Sequence, residues 1–383
     1  MKFATRLIHG PHALDPETGA LSVPIQHAST FAQKSVDHFG KYDYGRSGNP
    51  TREALEETIA ELEGGEIACA FGSGMAAIST TLLLFGPGDH LVVSEDVYGG
   101  TYRALTRVFS RWGLSATFVD ATDPAAIAAA IRPVTKAVYL ETPSNPLLKI
   151  SDLAGAAALA RGRGLLTIVD NTFMTPYLQR PLSLGCDIVL HSGTKFLNGH
   201  SDVVCGFAVA ADAEVGKRLR FLQNAFGAVL GPEDCWLTLR GLKTLKVRLE
   251  ESQRGAQRLA AWLAGQKSVL AVHYPGLPGH PGGEVHARQA DGPGAVLSFE
   301  LESAALTRRL LEGVELAAFA VSLGGVESIL SWPARMSHAA LSPAERAARG
   351  IGENLVRLSV GLEDPDDLIS DLARLIGDGA TPP

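Results

Sequence analysis

The sequence predicts an α/β protein whose main domain is a mostly parallel sheet with helices on both faces. Three observations predict it. Between about residues 50 and 210, short β-rich runs alternate with stretches of helical length. Most runs are apolar-biased, as strands covered on both faces require. The polar residues of chemical interest follow the runs, where open α/β sheets bind their ligands.

The first 48 residues show no strong periodicity and read as an extended arm. Asn49 suits a helix cap and Pro50 the first helical position. Leu55, Ile59 and Leu62 then recur at helical spacing until Gly64. The strands expected next are "IACAF", "HLVVS", "ATFVD", "AVYLE", "LLTIVD", "CDIVLHS" and "VVCGFAVA". Helices are expected in "GMAAISTTLLLF", "GGTYRALTRVFSRW" and "DLAGAAALARGRG". Only about a dozen residues, without helical pattern, separate the last two strands, so one of them is expected to run antiparallel. Beyond residue 240, "GLKTLKVRLEESQRGAQRLAAWLAG" reads as a long helix, followed by a Gly/Pro/His-rich stretch. "AVLSFEL", a helix near 304–313 and "NLVRLSVGL" then suggest a smaller α+β unit. The expected organisation is an arm (1–48), an α/β domain (49–244) and a C-terminal α+β domain (245–383).

Composition narrows the function. A chain of 383 residues, 46% hydrophobic and 20% charged, can build a large core and more than one domain. Its net charge of −7, with no basic block, provides no footprint for nucleic acid. No run has the apolar core of a signal peptide or the length of a membrane span. The four cysteines are far apart and form no CxxC pair, which fits reduced thiols and no metal site. A soluble cytoplasmic protein is expected.

The chemistry is concentrated in "LHSGTKFLNGHSD", residues 190–202. Read alone, Lys195 would be a solvated loop lysine, because most lysines are exposed. A lysine delivered to the mouth of an α/β sheet also suits imine chemistry with an aldehyde such as pyridoxal phosphate (PLP). That cofactor needs a carboxylate for its ring nitrogen, an anion cradle for its phosphate and an aromatic face for its ring. Asp170, ending an apolar strand, is the candidate carboxylate, since a buried aspartate is costly without a partner. "FGSGM" (71–75) leads into a helix start that would attract phosphate, and Ser192 and Thr194 add hydroxyl donors. Tyr44 and Arg46 in "YGRSGNPTR" add a further anion-binding pair. Tyr98, in "DVYGG", could stack on the ring.

Together these residues resemble a family, the cystathionine γ-synthase, γ-lyase and β-lyase group of PLP-dependent transsulfuration enzymes. The resemblance runs through "YDYGRSGNPTR", "FGSGMAAI", "DVYGGTYR", "ETPSNPLLKI", "VDNTF", "PLSLGCDIVLHSGTKFLNGHSDVV", "RGLKTL", "SLGGVES" and "RLSVGLED". It implies PLP fold type I, the aspartate aminotransferase-like architecture, with a seven-stranded large-domain sheet. It makes Lys195 the Schiff-base lysine, Asp170 the partner of the pyridine nitrogen and Tyr98 the stacking residue, with Lys195 and Tyr98 catalytic. Gly74, Met75, Ser192 and Thr194 would surround the phosphate, with Thr172 nearby. Tyr44 and Arg46 would reach the phosphate of a neighbouring subunit, implying a homo-oligomer, a tetramer built as a dimer of dimers. Asn145 and Arg357 would hold the substrate α-carboxylate, with Glu327 and Ser328 in the substrate pocket and Arg103 and Glu141 close to it.

The substrate class implied is a small sulfur amino acid. Glu327 matches an acidic position of many γ-acting members, although some β-lyases keep it. "DVYGG" has glycine where methionine γ-lyases carry a reactive cysteine. The expectation is therefore a cystathionine γ-lyase with possible β-lyase activity, ahead of a γ-synthase and of a PLP-binding paralogue without turnover.

Overall fold

The computed structural model describes residues 1–339 and 341–376. The last seven residues of the expected C-terminal domain lie outside the described residues. The first sheet contains β1 (Ile67–Phe71), β2 (His90–Ser94), β3 (Ser115–Val119), β4 (Thr135–Glu141), β5 (Leu166–Asp170), β6 (Ile188–Ser192) and β7 (Gly206–Ala210). Its order is β1-β7-β6-β5-β4-β2-β3. Only β7 is reversed, antiparallel to both β1 and β6. The link before it, residues 193–205, forms no helix that could carry a parallel crossover.

Alternation along the strands divides the core. Leu91, Val93, Tyr139 and Ile168 face Ala77, Leu82 and Leu105. Val92, Val138, Leu140 and Val169 face Leu153, Ala157 and Ile127 on the other side. Each such large side chain contributes roughly 1.5–3 kcal/mol on burial. Local signals set the helix ends. Asn49 accepts from the N–H groups of Thr51 and Arg52, and Gly64 closes the helix Pro50–Glu63 at φ 76°. The run after Tyr98 is helical but changes pitch twice between Gly99 and Trp112.

The second sheet is built from β8 (Val269–His273), β9 (Val296–Leu301), β10 (Ala318–Phe319), β11 (Ile329–Ser331) and β12 (Leu355–Ser359). Its order is β10-β11-β12-β9-β8, mainly antiparallel. The long helix covers Leu245–Ala264 and is separate from the helix Pro232–Leu242 before it. Leu245 and Leu249 belong to a core beside the first sheet, whereas Ala256, Leu259 and Leu263 belong to that of the second. The arm departs from the sequence expectation at Phe3–Ile8, which form a short helix. No helix among the described residues is long and apolar enough to cross a membrane.

Candidate active site

The carboxyl ends of β1, β4, β5 and β6 meet at one edge of the first sheet, beside β12 of the second. A cavity of about 540 Å³ lies there, and Lys195, Asp170, Tyr98, Asn145 and Arg357 all line it.

Lys195 follows β6 in a tight loop. A Cβ on Gly193 would lie 2.4 Å from the Phe207 ring, so only glycine lets the chain turn here. Arg248 holds the loop from behind, donating to the carbonyls of Phe196 and Gly241. The Lys195 amine points into the cavity and donates to Ser322 Oγ at 2.6 Å. Burial, and then the nearby Arg357 charge, push its pKa down to about 8.

Asp170 Oδ1 accepts from both the N–H and the hydroxyl of Thr172, at 3.1 and 2.5 Å. Thr172 Oγ1 in turn accepts from the N–H of Ser192, fixing the hydroxyl proton on Asp170. Asp170 Oδ2 has no protein donor among the described residues, and burial raises the carboxyl above its ordinary range. On the opposite face of the sheet, His191 Nε2 lies 2.5 Å from Glu63 Oε1, both fully buried. Sequence reasoning missed this pair, although His191 stands inside the lysine motif.

The anion cradle is the start of the helix Gly74–Leu82, where Ser73 caps the Ala76 N–H. The N–H groups of Gly74 and Met75 have no acceptor within the helix. A Cβ on Gly74 would lie 2.9 Å from Ser192 Cβ, and one on Gly206 would lie 2.3 Å from Ser73 O. Ser192 and Thr194 both line the cavity, but the Thr194 hydroxyl is engaged by the carbonyl and N–H of Cys205. Of the two expected hydroxyl donors, Ser192 is the one without a protein partner among the described residues.

Arg357 is central in the second sheet, not on its edge. Its register partners, Ser298 on β9 and Ser331 on β11, are small and leave room for the guanidinium. It donates to Asn145 Oδ1 at 3.0 Å and to Ser322 O at 2.7 Å. Its Nε is buried without an acceptor among the described residues, so a carboxylate in the cavity would meet an unmet donor. Tyr98 is 40% exposed at the cavity wall, and its N–H donates to Glu141 Oε2 at 2.8 Å. Arg103 also lines the cavity.

Four expected residues lie elsewhere. Glu327 is exposed and outside the cavity, where it accepts from Ser201 Oγ. Ser328 is fully buried against Glu363 and the Gly361 N–H, away from the cavity. The chain turns at Gly324, φ 77°, so the cavity receives Val321, Ser322 and Leu323 but not Glu327 or Ser328. Tyr44 and Arg46 lie outside their own chain's cavity. Tyr44 is exposed, and Arg46 donates to Asn224.

A family model described as "Cys/Met metabolism PLP-dependent enzyme" matches residues 4–376. This chain belongs to that family. It is 60% identical to cystathionine β-lyase MetC of Bacillus subtilis, over 97% of this chain and 95% of the relative. It is 49% identical to the cystathionine γ-lyase of the same organism, over 98% of this chain and 99% of the relative. A solved structure of cystathionine γ-synthase from Xanthomonas oryzae pv. oryzae, in complex with aminoacrylate and cysteine, superimposes with a TM-score of 0.96. It is 44% identical and covers 98% of each chain.

The family is PLP-dependent, and its fold type I architecture is the one described above. The residues present fit the cofactor. Asp170 Oδ2 is a free acceptor for a protonated ring nitrogen, the N–H groups at the helix start suit a phosphate, and Lys195 is the amine between them.

Proposed function

We propose that this protein is a cystathionine β-lyase, cleaving the Cβ–S bond of cystathionine and, with one water, giving homocysteine, pyruvate and ammonia. The position of Glu327 carries this reading. The γ-lyase expectation leaned on that carboxylate, which stands outside the cavity while apolar Val321 occupies the rim. The 60% identity to a β-lyase, against 49% to a γ-lyase, supports the same choice.

In this reading Arg357 and Asn145 hold the substrate α-carboxylate, the guanidinium supplying a fixed fork of donors. Ser322 orients the Lys195 amine, which removes the Cα proton. PLP, when bound, would supply the electron sink for the pair left at Cα. Lys195 then returns its proton to the departing sulfur. Asp170 holds the ring nitrogen, Tyr98 covers the ring face, and Gly74, Met75 and Ser192 bind the phosphate. Tyr44 and Arg46, turned away from their own cavity, complete the site of a second copy of the chain in a homo-oligomer.

The second reading is γ-synthase, an activity named for one of the solved structures on which the chain superimposes. Incubation with cystathionine, and separately with an O-acylhomoserine plus cysteine, decides. Pyruvate is expected to dominate from cystathionine, and Glu327→Ala should leave the ratio of pyruvate to 2-oxobutyrate unchanged. Dominant 2-oxobutyrate would make the protein a γ-lyase, and faster cystathionine formation would make it a γ-synthase. A PLP-loaded protein that turns over no sulfur amino acid would be a non-catalytic paralogue.

A further inference from the structure

Glu141 and Asp170 end adjacent parallel strands as register partners, and both line the cavity. Each is only 7% exposed. Two carboxylates placed side by side in a buried site do not both ionise readily, so such a pair tends to keep one proton. Hydrogen bonding decides which of them holds it. Asp170 receives two donors from Thr172, whose hydroxyl proton is oriented by the Ser192 N–H. Glu141 receives one, the N–H of Tyr98. A neutral carboxyl can accept that bond through its carbonyl oxygen as an anion would.

We propose that Glu141 is a positioning residue that remains protonated at neutral pH in the PLP-loaded protein, holding Tyr98 while Asp170 carries the pair's single negative charge. The proposal rests on the reading of Asp170 as partner of the ring nitrogen. The charged and titratable groups around Glu141 come from every adjoining element. Asp96 and Tyr98 follow β2, Arg103 lies on the next helix, Tyr139 is on the same strand, Asp170 ends β5, Lys195 follows β6 and Arg357 is on β12. Burial, and then Asp170, push the Glu141 proton affinity up, and Asp96 adds to the effect. The Tyr98 N–H opposes it, and Arg357 opposes it less, its guanidinium being turned to Asn145 and Ser322 and forming no ion pair with Glu141 among the described residues. A neutral Glu141 leaves one carboxylate, Asp170, to pair with the ring nitrogen.

The test uses the PLP-loaded protein. Glu141→Gln keeps an acceptor for the Tyr98 N–H and removes only the titratable proton. PLP release, followed as loss of visible absorbance on dialysis, should stay within about threefold of wild type, whereas Glu141→Ala should release about tenfold faster. Infrared difference spectra should show a protonated-carboxyl stretch that is lost in Glu141→Gln. The ratio of Glu141→Gln release to wild-type release should also be constant from about pH 6 to about pH 8, because Glu141 does not titrate there and every other group, Lys195 included, is common to both proteins. Release from Glu141→Gln beyond about threefold, no carboxyl band lost on substitution, or a ratio of the two release rates that changes across this pH range would each overturn the proposal. Asp170→Asn separates the underlying reading. About hundredfold faster release is expected, and release at the wild-type rate would remove Asp170 from its role, whatever the Glu141 spectra show.

Discussion

Ser322 accepts a hydrogen bond from the Lys195 amine at its hydroxyl and another from Arg357 at its carbonyl. One residue therefore sets the distance between the proposed proton carrier and the proposed carboxylate clamp. It does so at φ 88°, a conformation that strains any residue with a Cβ.

The first prediction concerns pH. Burial and Arg357 lower the Lys195 pKa to about 8, so its neutral, basic form accumulates as pH rises through that value instead of above 10. The kcat for pyruvate formation should rise about tenfold between roughly pH 7 and 9 and then level off. A flat profile over that range would rule out the free amine as the limiting base. Lys195→Ala should lower kcat by at least about a thousandfold.

Arg357→Lys keeps the charge and loses the fork. With Asn145 and Ser322 already occupying two of its donors, the site depends on the planar geometry that lysine lacks. A loss of about 2–3 kcal/mol is expected, or about 30- to 150-fold in kcat/KM, mostly through KM. Steady-state kinetics with cystathionine check it. An unchanged KM would move the carboxylate elsewhere.

Gly206→Ala tests the phosphate cradle from outside the cavity. Its Cβ would fall 2.3 Å from Ser73 O and 2.6 Å from Gly74 Cα, so the helix start must shift. Overpacking of this kind costs about 1–3 kcal/mol. Expected are a lower melting temperature and faster PLP release, measured by calorimetry and by absorbance. Full cofactor retention would argue against phosphate binding at this helix.

Sharing of sites between copies can be tested by mixing. Arg46→Ala and Lys195→Ala proteins should each be nearly inactive alone. Mixed oligomers contain some sites with Arg46 from one chain and Lys195 from the other, so activity should return on reassociation. Demonstrated mixed oligomers that stay inactive would show that Arg46 acts on its own chain.

The strands of the first sheet were legible because each is a short apolar run bounded by polar residues. "HLVVS" and "IACAF" coincide with β2 and β1. The cap at Asn49 and the reversal of β7 were equally local signals. Ser322 was not legible, because its role depends on a turn at Gly324 and on two partners more than 30 residues away. The same turn explains why Glu327 and Ser328 do not line the cavity. Proximity in a motif is proximity along the chain, and the backbone carries those two residues away from the cavity. The burial of Arg357 was not legible either, because sequence does not reveal strand order, and the antiparallel neighbours that bury it come from residues 298 and 331.

The helix Leu245–Ala264 acts as a beam shared by the two sheets and their cores. Near its start Arg248 grips the backbone just after Lys195, and its second half is embedded against the sheet that carries Arg357. Anyone recombining this enzyme with a relative would be tempted to splice at residue 244, between the two helices. Such a splice would match the beam of one parent to the lysine loop of the other. Residues 193–199, 241–248 and the helix beyond them are better inherited as one block, because the spacing between amine and guanidinium is transmitted through it.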